Sequence, residues 1–512
     1  MGDVLHHIVE FARRTPDHDA VKDAESSLTY AELEDLAGRV AAAMGARGVA
    51  PGDRVVLLLQ NSVDYVIAAL ASLWLGAIFV PLDASDPVNR LSALIRDCQP
   101  SLVVTNGVLD ESALPDDVAS TPFVRVSQLR NEQAPSVERL PGEERPSYII
   151  YTSGTTGKPK GVVIGSGAFE AAVTACSTAR GLDSTTRTLS VSPFHFDGSF
   201  ATLFTTLASG GTLILRPRES LLFARVFFNT VIAEEVTYTG FTPSYFRLLA
   251  SSPQFEMLTT SKLDVVAMGG ESLTLGDVER LWEVVPQVRI FNGYGPTETA
   301  ITASQKELTR SAVSQGVITI GRPNAGVRFY LVDEENRLVE ASHVPAELYI
   351  GGHQVMDGYW ASPDLTDQVI RSDLVEGERL YKTGDIVYRD DFGEYVYVSR
   401  ADRVIKRSGV RISLAEISDT LCNDDGVRTA TTLVFDNDGG VGVVSFVVTT
   451  SSVTVEQLLR GARALLPPTM LPDRIEIVDS MPLTSSGKTD ERKLLSDAGL
   501  RSWSPVHVEP GK

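Results

Sequence analysis

Apolar residues recur along this chain with two alternating periods. Leu33, Leu36, Val40 and Met44 fall on one helical face, Gly45 and Gly48 end it, Pro51-Gly52 turns the chain, and residues 55–59 form an unbroken apolar strand. Strand-like runs follow at 147–151, 188–191, 211–215, 263–268 and 288–291, separated by segments long enough for helices. This rhythm predicts an α/β fold, a large N-terminal domain of stacked sheets with flanking helices. Between about 325 and 400 the runs shorten, at 327–332, 347–350 and 395–398, which predicts a mixed or antiparallel region closing a domain of residues 1–401. Residues 402–512 then read as a small, mobile α+β domain.

One stretch could be mistaken for a membrane span: residues 65–82 carry no charge. Gly76, the β-favouring Ile78-Phe79-Val80 and Pro81 split it into a helix end and a buried strand. The composition, 43% hydrophobic and 22% charged over 512 residues, is that of an ordinary globular protein with room for more than one core. A net charge of −20 argues against a broad nucleic-acid surface. Cys98, Cys176 and Cys422 are three widely spaced thiols without a C-x-x-C pair, which excludes a disulfide framework or zinc site and points to a reducing cytoplasm. The acidic, histidine-bearing start shows no export signal.

The strongest local pattern is Tyr151-Thr152-Ser153-Gly154-Thr155-Thr156-Gly157-Lys158-Pro159-Lys160-Gly161, directly after an apolar strand. Its glycines let the backbone approach an anion, its hydroxyls donate hydrogen bonds, and Lys158 and Lys160 add charge, so it reads as a phosphate loop. It is no Walker A loop, because Pro159 follows the lysine. In Asn292-Gly293-Tyr294-Gly295-Pro296-Thr297-Glu298, Tyr294 offers a face for a base, Asn292 an amide for an adenine edge, and Glu298 a hard oxygen for Mg²⁺. Asp385, after Thr383-Gly384, offers a carboxylate to ribose hydroxyls, and Lys488 lies in a polar loop near the C-terminus.

With Leu28-Thr29-Tyr30-Ala31-Glu32-Leu33, Tyr381-Lys382-Thr383-Gly384-Asp385 and Ser486-Gly487-Lys488-Thr489-Asp490, these segments stand in the order found in acyl-adenylate-forming enzymes. The chain resembles that superfamily over nearly its whole length, and within it a freestanding adenylation domain of nonribosomal peptide synthesis. The resemblance implies ATP and Mg²⁺ as cofactors and an AMP-forming ligase in two steps. An amino-acid carboxylate forms aminoacyl-AMP, and the phosphopantetheine thiol of a carrier protein on a separate chain then takes the acyl group. It implies catalytic roles for Lys488, Glu298 and Thr152, with Glu298 on the metal. Nucleotide-binding roles fall to Ser153, Gly154, Thr155, Thr156, Gly157, Lys158, Gly270, Glu271, Asn292, Tyr294, Thr297, Asp385, Tyr397 and Arg400. Asp402 becomes the hinge between the two steps.

By the same resemblance Asp197 pairs with the substrate's ammonium, in a pocket of Phe196, Asp197, Gly198, Ala201, Gly240, Ala267, Gly269, Gly293, Ile301 and Thr302. An unpaired buried ammonium is strongly disfavoured, so a matched carboxylate selects amino acids. The small residues leave volume for a bulky or displaced side chain, with an α or a β amine. His195 beside it is expected to pack rather than act as a base. Within the class, a D-alanine:carrier-protein ligase is the main alternative; an acyl-CoA or aryl-acid ligase and a silent ATP-binding regulator are the others. The resemblance implies a monomer, with neither nucleic acid nor membrane as partner. Gly269-Gly270-Glu271-Ser272-Leu273 mimics a phosphopantetheine attachment motif but follows a strand in mid-domain, so attachment is not expected.

Overall fold

A computed structural model describes residues 3–107, 114–132, 137, 139, 144–153, 159–313, 316–401, 404–407, 410–437, 440–450, 452–466, 470–484 and 487–501. The expected α/β fold is what it contains: a large N-terminal domain rich in sheets, and a smaller C-terminal one. Two sheets form the bulk of the large domain. In one, Arg289–Tyr294, Val265–Gly269, Tyr238–Phe241, Arg187–Ser190, Thr212–Ile214 and Asp19–Lys22 run parallel, with Ser304–Leu308 and Ser27–Thr29 antiparallel at its edges. In the other, Phe123–Arg125, Leu102–Thr105, Arg54–Leu58, Ile78–Pro81 and Pro146–Ser153 are parallel, and Pro159–Gly165 folds back antiparallel on the last of them. Parallel strands are buried on both faces, which is why they are written in unbroken apolar runs.

The uncharged stretch divides as its glycine and β-favouring residues dictate, into the helix Val63–Trp74, capped by Ser62, and the strand Ile78–Pro81. Among the described residues no helix is long and apolar enough to cross a membrane. The helix Tyr30–Gly45 starts at a reciprocal Thr29–Glu32 capping box and buries Leu33, Val40 and Met44. A ring cluster of Phe79, Tyr148, Phe169, Phe200 and Phe204 fills the space between the sheets, with centroid spacings from 4.9 to 6.0 Å.

The region after residue 325 is antiparallel, as its shorter runs predict: Val327–Val332, Ala346–Gly352, Leu380–Arg389 and Tyr395–Arg400 pair in sequence. The C-terminal part has its own core, where Val427–Asn437, Gly440–Thr449 and Arg474–Ile477 form a sheet against the helices Leu414–Cys422 and Val455–Leu465. Asp402 lies outside the described residues.

Candidate functional site

The carboxyl ends of the parallel strands converge on one region, the place where open α/β sheets bind ligands. Tyr238–Phe241 contributes Gly240, Val265–Gly269 contributes Ala267 and Gly269, and Arg289–Tyr294 contributes Asn292, Gly293 and Tyr294. Close strand approach requires glycine here: a Cβ on Gly269 would meet the Gly293 carbonyl oxygen at 2.6 Å. After Arg187–Ser190 the chain turns through Pro193 into the short 3₁₀ turn Asp197–Ser199, which feeds the helix Phe200–Ala208. Asp197 caps neither helix. It is 3% exposed, and its Oδ2 finds no hydrogen-bond partner among the described residues.

That burial pushes the Asp197 carboxyl from 3.8 up to about 6, aided by the nearby Glu298 and opposed by the Thr297 hydroxyl, the Lys488 charge and the Gly198 N–H. The rise corresponds to about 3 kcal/mol held against the ionised form. The Tyr148 hydroxyl, also buried without a partner among the described residues, feels the same negative charge. Phe196 turns its ring to Lys488, whose Nζ lies 5.4 Å from the ring centroid. His195 Nε2 lies 3.7 Å from Asp83, but burial outweighs that carboxylate and lowers the imidazole pKa, favouring a neutral ring.

Lys488 reaches this region because its loop is tied down on both sides. Thr242 Oγ1 donates to the Gly487 carbonyl at 2.8 Å, and Glu271 accepts the Thr489 N–H at 3.0 Å and the Ser244 N–H at 2.9 Å. Glu271, expected on the nucleotide, thus spends both carboxylate oxygens on backbone donors from the two parts of the molecule. Gly270, at φ +82°, leaves room for the Lys488 stem, which a Cβ there would meet at 3.4 Å. A small, partly open pocket lies beside this junction, lined by Pro193, Phe241, Thr242 and Gly487.

Glu298 is 6% exposed and pre-paired: it accepts the Tyr359 hydroxyl at 2.7 Å and lies 3.6 Å from Lys160 Nζ, which in turn donates to Tyr359 at 2.7 Å. Sequence reasoning passed over Tyr359; its only signal is the aromatic pair Tyr359-Trp360 after Gly358. The phosphate-loop residues Gly154, Thr155, Thr156, Gly157 and Lys158 lie outside the described residues, as does the Ser153 side chain. The flanking strands Pro146–Ser153 and Pro159–Gly165 pair Thr152 with Lys160, and the buried Thr152 hydroxyl has no partner among the described residues.

A second group gathers 294, 385, 397 and 400. Asp385 accepts the Tyr294 hydroxyl at 2.6 Å and Arg400 Nη1 at 3.3 Å, and the Tyr294 and Tyr397 rings lie 6.5 Å apart. Gly384, at φ +73°, is what lets Arg400 close in, since a Cβ there would stand 2.9 Å from its Nη2. Asn292 donates to the Thr319 carbonyl at 2.9 Å, leaving its own oxygen for another partner.

The pocket wall ends in a strained turn. Ala300 and Ile301 both have positive φ, +52° and +63°, which a β-branched residue adopts only under constraint. Gln354 supplies it: its Nε2 reaches the carbonyls of Thr299, Ala300 and Thr302 at 3.2, 3.1 and 2.7 Å, while Asn324 holds its Oε1 at 3.1 Å. Nothing in the residue spacing announces this brace.

The chain belongs to the AMP-binding enzyme family, which matches residues 8–360. It is 33% identical over 98% of its length to tyrocidine synthase 3 of Brevibacillus parabrevis and 30% identical over 96% to delta-poly-L-ornithine synthetase of Acinetobacter baumannii. It spans only 8% and 36% of those two proteins. A four-domain nonribosomal peptide synthetase bound to AMP and glycine superposes with a TM-score of 0.84 at 28% identity, covering 100% of this chain and 37% of that one. Klebsiella oxytoca NpsA, bound to 3-hydroxyanthranilyl-AMSN, shares the fold with a TM-score of 0.86 at 22% identity, over 97% of this chain and 99% of that one.

Proposed function

We propose that the enzyme activates an amino acid as aminoacyl-AMP and passes it to the phosphopantetheine thiol of a carrier protein. The observation that carries the amino-acid reading is Asp197 Oδ2, a buried carboxylate oxygen with no partner among the described residues. Such an orphan is costly unless a ligand completes it, and a substrate ammonium supplies both the missing donor and the missing charge.

In the first step a substrate carboxylate oxygen bonds to the α-phosphorus of ATP and the bond to pyrophosphate breaks. Asp197 holds the amine, so the carboxylate end of the substrate faces Lys488, whose cation offsets charge developing on the α-phosphate. The Thr152 hydroxyl and the loop through Lys158 hold the leaving phosphates. Tyr294, with Asn292, receives the base, and Asp385, oriented by Arg400, the ribose hydroxyls. Glu298, a hard carboxylate, would hold Mg²⁺, which would supply charge neutralisation for the phosphates. Tyr359 and Lys160 keep the carboxylate aimed. In the second step the pantetheine sulfur bonds to the acyl carbon and AMP leaves. Residues 402–512 turn about Asp402 between the steps, withdrawing Lys488.

Acid-dependent pyrophosphate exchange tests the reading. Amino acids are expected to drive exchange, and aryl or fatty acids working better than any amino acid would contradict it.

A further inference from the structure

Behind the pocket lies a cation that the mechanism does not use. Arg180, the last residue of the helix Ser166–Arg180, is 2% exposed, and among the described residues no carboxylate lies within ion-pair distance of it. Its Nη1 donates to the Ala201 carbonyl at 2.8 Å and to the Tyr238 hydroxyl, and its Nε has no acceptor among the described residues. Holding the Ala201 carbonyl does not require it, because Tyr238 and Thr205 already donate there at 2.6 and 2.8 Å. A desolvated guanidinium with no counter-charge is among the most expensive groups a core can contain.

The cluster abuts three expected pocket positions. Ala201 is the shared acceptor; a Cβ on Gly240 would stand 3.6 Å from the Tyr238 hydroxyl; and Cys176, one turn before Arg180, touches the Thr302 hydroxyl with its sulfur at 3.2 Å. The site therefore has an unsatisfied anion in Asp197 and, beside three of its expected pocket positions, a cation with no counter-charge among the described residues.

Resting on the amino-acid reading above, we infer that the substrate carries a second carboxylate, on its side chain, which Arg180 receives, held in place by the Tyr238 oxygen that accepts from it. An α- or β-amino dicarboxylic acid has this chemistry: one carboxylate for adenylation, one for recognition.

Pyrophosphate exchange by the full chain is measured with aspartate, glutamate and their β-amino counterparts, with asparagine and glutamine, and with leucine, valine and phenylalanine. A dicarboxylic amino acid is expected to exceed its amide at least about tenfold in kcat/KM. Arg180→Met is expected to raise the KM for that acid about a hundredfold while moving kcat and the KM for ATP little; Arg180→Lys restores part of the preference. If Arg180→Met does not fold, Tyr238→Phe, which removes an acceptor that holds Arg180, is expected to weaken the same preference by several-fold. Exchange led by an amide or an apolar amino acid overturns this inference alone. Exchange only with aryl or fatty acids overturns the amino-acid reading with it.

Discussion

Asp197 illustrates how a single residue converts burial into selectivity. In the free enzyme its carboxyl, raised from 3.8 to about 6, is neutral below about pH 6 and ionised above it. Its contribution to stability is therefore complete below about pH 3.8 and lost as pH rises through about 6. An arriving ammonium reverses the balance by favouring the ionised form, so below about pH 6 binding must expel a proton from Asp197. The KM for the amino acid is expected to rise by up to about tenfold per pH unit below that point, with the KM for ATP nearly flat. Asp197→Asn should abolish that slope and lower amino-acid kcat/KM about a hundredfold or more at neutral pH, the cost of stranding a buried charge. A variant that keeps the wild-type slope removes Asp197 from amine recognition. The position of this aspartate was legible from the Phe196-Asp197-Gly198-Ser199 motif. Its missing partner was not, because an orphan oxygen is a property of everything packed around it.

At the scale of elements, the apolar runs predicted most of the strands that carry the site, since a strand buried on both faces declares itself in unbroken hydrophobic residues. Val327–Val332 has the expected bounds, and Arg289–Tyr294 extends its run into the motif itself. The turns between strands were less readable. No propensity predicts positive φ at Ala300 and Ile301; that conformation persists because Gln354, more than fifty residues on, ties three carbonyls together. Gln354→Ala is expected to leave those buried acceptors unpaired, costing about 1–3 kcal/mol in denaturant unfolding, and to let Ile301 relax out of the wall. The accompanying functional sign is a broader substrate range in pyrophosphate exchange. Unchanged stability and an unchanged range would show the turn to be held by something else.

At the scale of the molecule, the reaction depends on a C-terminal lysine meeting strand ends more than two hundred residues earlier. The motifs placed Lys488 near the nucleotide, but Glu271 was read as a nucleotide ligand and the contacts give it a different part. Its carboxylate accepts Ser244 and Thr489 backbone N–H groups and so fastens the Lys488 loop to the large domain. Sequence alone shows a Glu after two glycines and cannot show which backbone it will meet. In single-turnover measurements Lys488→Ala is expected to slow aminoacyl-AMP formation about a hundredfold, as loss of one transition-state charge does. Glu271→Gln should slow the same step about tenfold through a looser loop, with thiol transfer from preformed adenylate nearly intact. A Glu271→Gln enzyme adenylating at the wild-type rate would contradict the anchoring role.

The account turns on what fills the space in front of Asp197, and a crystal structure of the enzyme with a non-hydrolysable aminoacyl-adenylate analogue measures it directly. The distance that matters runs from Asp197 Oδ2 to the analogue's amino nitrogen: ion-pair contact is expected, with no protein donor taking that oxygen. An amino group directed to another residue, with Asp197 Oδ2 still unpartnered, would contradict the account.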